Sequence, residues 1–280
     1  MTLSYVIADV FTDTPLEGNA LAVFTDAEGL DERTMARLAR ELNLSETVFA
    51  FAPEQGGDAR IRIFTPGAEL PFAGHPVLGS AFVLGGARDV VQLETGLGIV
   101  PVELQRSGGA IVFGRMRQPI PTIEAFDRGA ALLRALGVER AEPPREAYVN
   151  GPCNVFVMLE DEAAVAALAP EHQALVALGV LNVSCFAGAG RRWKTRMFAP
   201  ALGVAEDPAT GSAAGPLALH LARQGAIAYG EEIELAQGGE IGRPSLLYAR
   251  VEGSETHLER IEVGGAAVIV ARGEFSLGPG

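Results

Sequence analysis

A chain of 280 residues with 48% hydrophobic and 20% charged content can bury a large core, and its length suits one large domain or two of about 140 residues. Its net charge of −13, from 22 basic and 35 acidic residues, argues against a nucleic-acid partner, because such binding needs clustered Lys and Arg to neutralise phosphates. No apolar run of about 18 residues occurs and the start MTLSYVIADVF lacks a basic leader and long apolar stretch, so a cytoplasmic protein without a membrane partner is expected.

The predicted elements begin with a strand over residues 5–11. A helix fits 31–42, where Asp31 can cap it and Met35, Leu38, Ala39 and Leu42 fall at helical spacing. NLSETVFAF (43–51) reads as a turn entering a strand. Further strands fit 60–64, 90–94, 99–104 and 110–115, rich in β-branched residues and ended by turn formers such as SGG at 107–109. MRQPIPT (116–122) reads as a linker, since its two prolines cannot sit in a central ladder, and the chain divides near residue 118.

A second set of elements follows. A helix is expected over 124–137, closed by Gly137, then strands over 154–160, 181–186, 194–198, 232–235, 246–251 and 266–271. The basic stretch GRRWKTRMF (190–198) is local and reads as a solvated turn and strand edge. The two cysteines, Cys153 and Cys185, have neither metal-ligand nor CxxC spacing and read as core thiols of a reducing compartment.

The two halves repeat one another. Arg62-Ile63-Phe64-Thr65-Pro66 is echoed by Arg196-Met197-Phe198-Ala199-Pro200, and HPVLGSA (75–81) by DPATGSA (207–213). Each half therefore holds a strand, a short loop, then an ionisable residue followed by Pro at the expected first helical position. The first turn of a helix has unpaired N–H groups and a partial positive charge, so two such starts facing one cleft would hold an anion, a small carboxylate first among the possibilities. The second of these helices, 208–224, is rich in Gly, Ala and Ser, which fits close backbone approach, and Pro216 within it threatens a kink.

Single residues stay open between two readings. His75 is a capping or core imidazole, or one half of an acid/base pair whose other half is Asp207. Asp207 also reads as an ordinary N-cap. Glu46 is an exposed carboxylate at a strand entrance, or a partly buried one among Leu44, Val48 and Phe49 whose raised pKa suits proton transfer. Asn19 is a turn amide or a polar site group. Ser80 and Ser212 read as hydrogen-bond donors. No phosphate-binding loop, dinucleotide fingerprint, HExxH or GxSxG is present, so nucleotide, metal and serine-hydrolase chemistries lose their sequence support.

The segments DVFTDTPLEGNALAVF, LNLSETVF, RIFTPGAELPFAGHPVLG, CFAGAGRRW, EDPATGSAAGPLALHLA and QGGEIGRPSL together resemble the PhzF-type isomerases of phenazine biosynthesis, over essentially the whole chain. The resemblance implies an α+β fold of diaminopimelate-epimerase type: two pseudo-symmetric lobes, each a curved mixed sheet wrapped around a central helix, with the site between lobes. On that pattern residues 1–118, completed by a strand from about 266–280, form one lobe and 119–265 the other. It implies isomerisation of trans-2,3-dihydro-3-hydroxyanthranilate with no cofactor and no metal. Glu46 would take a proton from ring C3 and return one at C1, His75 and Asp207 would orient polar groups and assist, and Asn19, Gly74, Gly211 and Ser212 would bind substrate. A homodimer is expected.

The fold's thiol-based racemases carry a cysteine at each helix start. Ala73 and Pro208 stand there in this chain. The alternatives to the leading reading are an isomerase or epimerase of another small amino or hydroxy acid, and a non-catalytic carboxylate-binding protein.

Overall fold

The computed structural model describes residues 1–179 and 181–278. The chain forms two compact units, Met1–Arg117 with Gly264–Gly280, and Gln118–Val263. Residues 279 and 280 of the expected C-terminal segment lie outside the described residues.

In the first unit the elements are β1 (Thr2–Val10), β2 (Asn19–Phe24), α1 (Glu32–Leu42), β3 (Glu46–Phe51), β4 (Ala59–Phe64), β5 (Glu69–Leu70), α2 (Gly74–Leu84), β6 (Val90–Thr95), β7 (Gly98–Ser107) and β8 (Ala110–Gln118). The sheet is mixed: β1 runs antiparallel to β2, β2 parallel to β3, β3 antiparallel to β4, and β4 antiparallel to β5 and parallel to β6. Antiparallel pairs β6–β7 and β7–β8 complete it. Asp31 caps α1 as expected, accepting from Thr34 N–H at 2.8 Å. The apolar stripe of α1 buries Met35, Leu38 and Ala39 against Phe24, Phe49 and Phe64. Phe24 and Phe49 stack with centroids 4.9 Å apart. Burying each large side chain of this cluster contributes roughly 1.5–3 kcal/mol. Helix α2 is different. Nine of its residues, Gly74 through Phe82, are buried, and it touches β1, β2, β3, β6 and β7, which makes it the helix the sheet wraps.

The second unit contains β9 (Thr122–Ala125), α3 (Gly129–Leu136), β10 (Glu146–Val149), β11 (Cys153–Met158), short α4 (Glu162–Ala166) and α5 (His172–Val176), β12 (Asn182–Ala189), β13 (Arg192–Ala199), β14 (Val204–Asp207), α6 (Gly211–Arg223), β15 (Glu232–Gln237), β16 (Ser245–Ser254) and β17 (His257–Gly265). The last strand, β18 (Ala267–Ser276), belongs to the first unit and pairs antiparallel with β1. The second unit repeats the first strand for strand. β10–β11 is antiparallel, β11–β12 parallel, β12–β13 antiparallel, and β13 is antiparallel to β14 and parallel to β15, which pairs antiparallel with β16. Helix α6 stands where α2 stands in the first series, buried along almost its whole length and in contact with β11 and β16.

Three expectations are corrected. The helix expected over 124–137 starts later: Glu124 and Ala125 end the strand Thr122–Ala125, which pairs antiparallel with β10, and the helix is confined to Gly129–Leu136. The strand is set by long-range pairing, and its four residues are all exposed, so no burial pattern announces it. The basic stretch 190–198 is no edge, because β13 pairs with β12 on one side and with β14 and β15 on the other. Arg191 and Arg192 are exposed, but Arg196 is buried, bidentate to Glu206 at 2.8 and 2.7 Å, and donates to the Ala166 and Leu168 carbonyls at the end of α4. Finally, Pro216 leaves α6 continuous from Gly211 to Arg223.

Candidate active site

The first unit brings Asn19, Glu46 and His75 together. Each is placed by the end of an element: Asn19 opens β2, Glu46 opens β3 opposite Leu21, and His75 is the second residue of α2. The loop before Asn19 is fixed by buried Asp9, whose carboxylate accepts from Leu16 N–H at 2.7 Å, and by Gly18 at φ 66°. A Cβ at Gly18 would lie 2.4 Å from the Val10 carbonyl oxygen, so only glycine lets the chain turn there. His75 is 2% exposed, and its Nδ1 lies 3.3 Å from Asn19 Nδ2 and 3.4 Å from Glu46 Oε2. The Glu46 side chain keeps 14% exposure, the partly buried setting its apolar neighbours suggest.

The contact with Glu46 is not an ion pair. Burial pushes the His75 imidazole from its ordinary 6.5 down to about 3, so the ring is neutral near pH 7. The Asn19 amide nitrogen can only donate, so Nδ1 accepts and the ring proton sits on Nε2. That Nε2 is buried and has no hydrogen-bond partner among the described residues. Such an N–H is costly unless something accepts from it.

The second unit assembles Asp207, Gly211 and Ser212. Here the expected helix start is displaced: Asp207 ends β14, Thr210 is the N-cap of α6 without a side-chain cap bond, and Pro208 lies outside the helix. Asp207 is therefore not the cap. Its carboxylate accepts from Thr210 Oγ1 at 2.6 Å, a local bond that takes up three residues before the helix begins. In the first unit the offset is smaller: Ala73 is the N-cap, Gly74 the first helical residue and Pro76 the third. Gly211 and Ser212 supply the first two helical N–H groups, which have no carbonyl four residues back to bond.

Sequence reasoning missed five amides that surround this turn. Gln237 Nε2 donates to the Asp207 carbonyl at 2.7 Å and to Thr210 Oγ1 at 2.9 Å, while its Oε1 accepts from Thr195 Oγ1 at 3.2 Å. Gln118 Nε2 donates to the Gly211 carbonyl at 2.7 Å, and Asn150 Nδ2 to the Ser212 carbonyl at 2.9 Å. Asn154 and Asn182 stand behind Asn150. The one available signal was Pro216, which deprives a carbonyl of its helical donor. The cysteines take no part here: Cys153 opens β11, and Cys185 is fully buried in β12, where burial pushes its thiol up to about 12.

A repeated half with a mixed sheet around a buried helix, and an ionisable residue close to each helix start, define an α+β fold of the epimerase-like class. A hydroxyproline epimerase from Agrobacterium vitis shares that fold, with a TM-score of 0.66 at 12% identity over 98% of this chain and 92% of that one. The PhzC-PhzF model, described as phenazine biosynthesis-like protein, matches residues 8–273, and the chain belongs to that family. It is 55% identical over 275 residues to the trans-2,3-dihydro-3-hydroxyanthranilate isomerase of Pseudomonas aeruginosa, covering 98% of this chain and 99% of the relative. A Bacillus anthracis phenazine biosynthesis protein of the PhzF family superposes with a TM-score of 0.84 at 25% identity, over 99% of this chain and 100% of that one.

Proposed function

We infer that the chain is an isomerase acting on trans-2,3-dihydro-3-hydroxyanthranilate, with Glu46 as the proton carrier. The 55% identity to the Pseudomonas aeruginosa isomerase over nearly the full length of both chains carries the assignment of substrate. Support for the role of Glu46 is local: a partly exposed carboxyl beside a neutral buried imidazole.

In the proposed mechanism the Glu46 carboxylate removes the proton at ring C3 and becomes the acid. The electrons left at C3 shift the double-bond system, Glu46 returns a proton at C1, and the resulting enol relaxes to the ketone. Nothing is gained or lost overall, so no oxidant or cofactor enters. His75 Nε2–H donates to a polar group of the substrate, and Asn19 holds the ring in the tautomer that allows it. Asp207 orients substrate polar groups, and the N–H groups of Gly74, Gly211 and Ser212 bind the carboxylate. A cytoplasmic homodimer belongs to the same proposal, its mass in solution being the check.

The deciding experiment is turnover in deuterated water. Purified protein should consume trans-2,3-dihydro-3-hydroxyanthranilate and place deuterium at C1. Substrate recovered unchanged sinks the assignment. Glu46→Gln keeps the shape and removes the titratable group, and should lower kcat by about 10²–10⁴; full activity would end the role given to Glu46.

A further inference from the structure

We propose that Asn150 is a positioning residue for the first turn of α6, standing in for the backbone donor that Pro216 removes. This rests on the reading that the helix start binds the substrate carboxylate. In a regular helix the Ser212 carbonyl accepts the N–H of residue 216, but proline has none, and its ring crowds that oxygen. Ser212 is 4% exposed, so its carbonyl would go unpaired in a dry setting. Asn150 Nδ2, 2.9 Å away, fills the place.

The amide is held so that only this end can face the helix. A carbonyl only accepts, so the NH₂ of Asn150 must point at Ser212. At the other end Asn150 Oδ1 accepts from Asn154 Nδ2 at 3.1 Å, and Asn154 Oδ1 accepts from Asn182 Nδ2 at 3.2 Å. Asn154 and Asn182 are register partners on the parallel strands β11 and β12. The three amides form a one-directional chain, all buried, that ties the helix start to the sheet beneath it. Gln118 clamps the preceding carbonyl, that of Gly211, and a Cβ at Gly215 would meet its Oε1 at 2.4 Å. The exchange of a backbone donor for a sheet-anchored side chain fixes the Gly211–Ser212 peptides more tightly than the helix alone would, because a helix end frays.

The test is a double-mutant cycle on KM and kcat. Asn150→Leu should raise KM for the dihydrohydroxyanthranilate about tenfold, the usual cost of one orphaned buried acceptor, with kcat changed less than about threefold. Pro216→Ala returns a backbone N–H to Ser212, so the pair Asn150→Leu with Pro216→Ala should recover KM to within about twofold of wild type. An unchanged KM in Asn150→Leu overturns the proposal. So does a double variant no better than Asn150→Leu, since a purely structural asparagine would not be rescued at residue 216. If Asn150→Leu fails to accumulate, Asn154→Leu removes the middle link and should raise KM in the same sense, and no rise there overturns the proposal too. Amide exchange at 213–215 separates failure of this inference from failure of the functional reading. Faster exchange in Asn150→Leu, reversed in the double variant, upholds the positioning role even in a protein that does not turn this substrate over, and unchanged exchange overturns it.

Discussion

In the mechanism proposed, Glu46 carries the proton and His75 stands beside it as a neutral ring. The imidazole is 2% exposed and depressed to about 3, so it meets the carboxyl without a charge of its own. Shortening the base should therefore be costly without removing its titration: Glu46→Asp withdraws the carboxyl by about an ångström and should lower kcat about hundredfold, read from initial rates. The same burial makes a stability prediction. His75 is neutral in the fold and protonates on unfolding below 6.5, so the unfolded state binds more protons, and stability rises with pH between about 3 and 6.5. Its contribution is complete above 6.5 and is lost as pH falls toward 3, with a slope of up to about 1.4 kcal/mol per pH unit. His220, also lowered by burial, acts in the same direction. Urea midpoints at pH 4, 5.5 and 7 should show the fall, and a flatter dependence is expected for His75→Gln; an equal slope in that variant would contradict a neutral buried ring. The repeat and the family pattern made Glu46, His75 and Asp207 legible. They could not reveal Asn150, Asn154 and Asn182, because an asparagine's role is set by partners as far as 62 residues away in sequence.

Among the elements, helix α6 shows most clearly what local rules can and cannot supply. Its composition announces close packing, and Gly215 delivers it: an added Cβ would lie 2.4 Å from Gln118 Oε1 and 2.5 Å from Ile261 Cγ2. Gly215→Ala gains helix propensity yet should destabilise the protein by about 1–3 kcal/mol by overpacking, measurable as a lower Tm. Of the two readings open for Asp207, that of an N-cap fails, although Asp-Pro before small helical residues is the pattern that suggests one. The structure spends that carboxylate on Thr210, and the helix starts later. The strand β9 escaped for a related reason. Thr122–Ala125 pairs with β10, whose partner residues lie beyond a helix and a proline pair.

For the whole molecule, the repeat of strand order is the feature most plainly written in the sequence, in the echo of RIFTP by RMFAP at the ends of β4 and β13. Where the halves differ, in α1 against the short pair α4 and α5, the inserted segments carry no repeated motif and could be read only one by one. The proposed chemistry needs no metal. Dialysis against a chelator should leave turnover unchanged within error, and a loss restored by a divalent cation would refute a mechanism carried by side chains alone.

The position of β18 has a consequence for how the protein is made. β1 lies between β2 and a strand that the chain reaches only after the whole second unit, and the α-amino group of Met1 bonds the Leu277 carbonyl at 2.9 Å. Until β18 has been synthesised, one edge of the first strand presents a bare ladder of amides, while the contiguous second unit already has all its own sequence. The first unit is thus begun before the second and closed after it, and a ribosome stalled near residue 265 would display an open sheet border ready to recruit a stranger's strand.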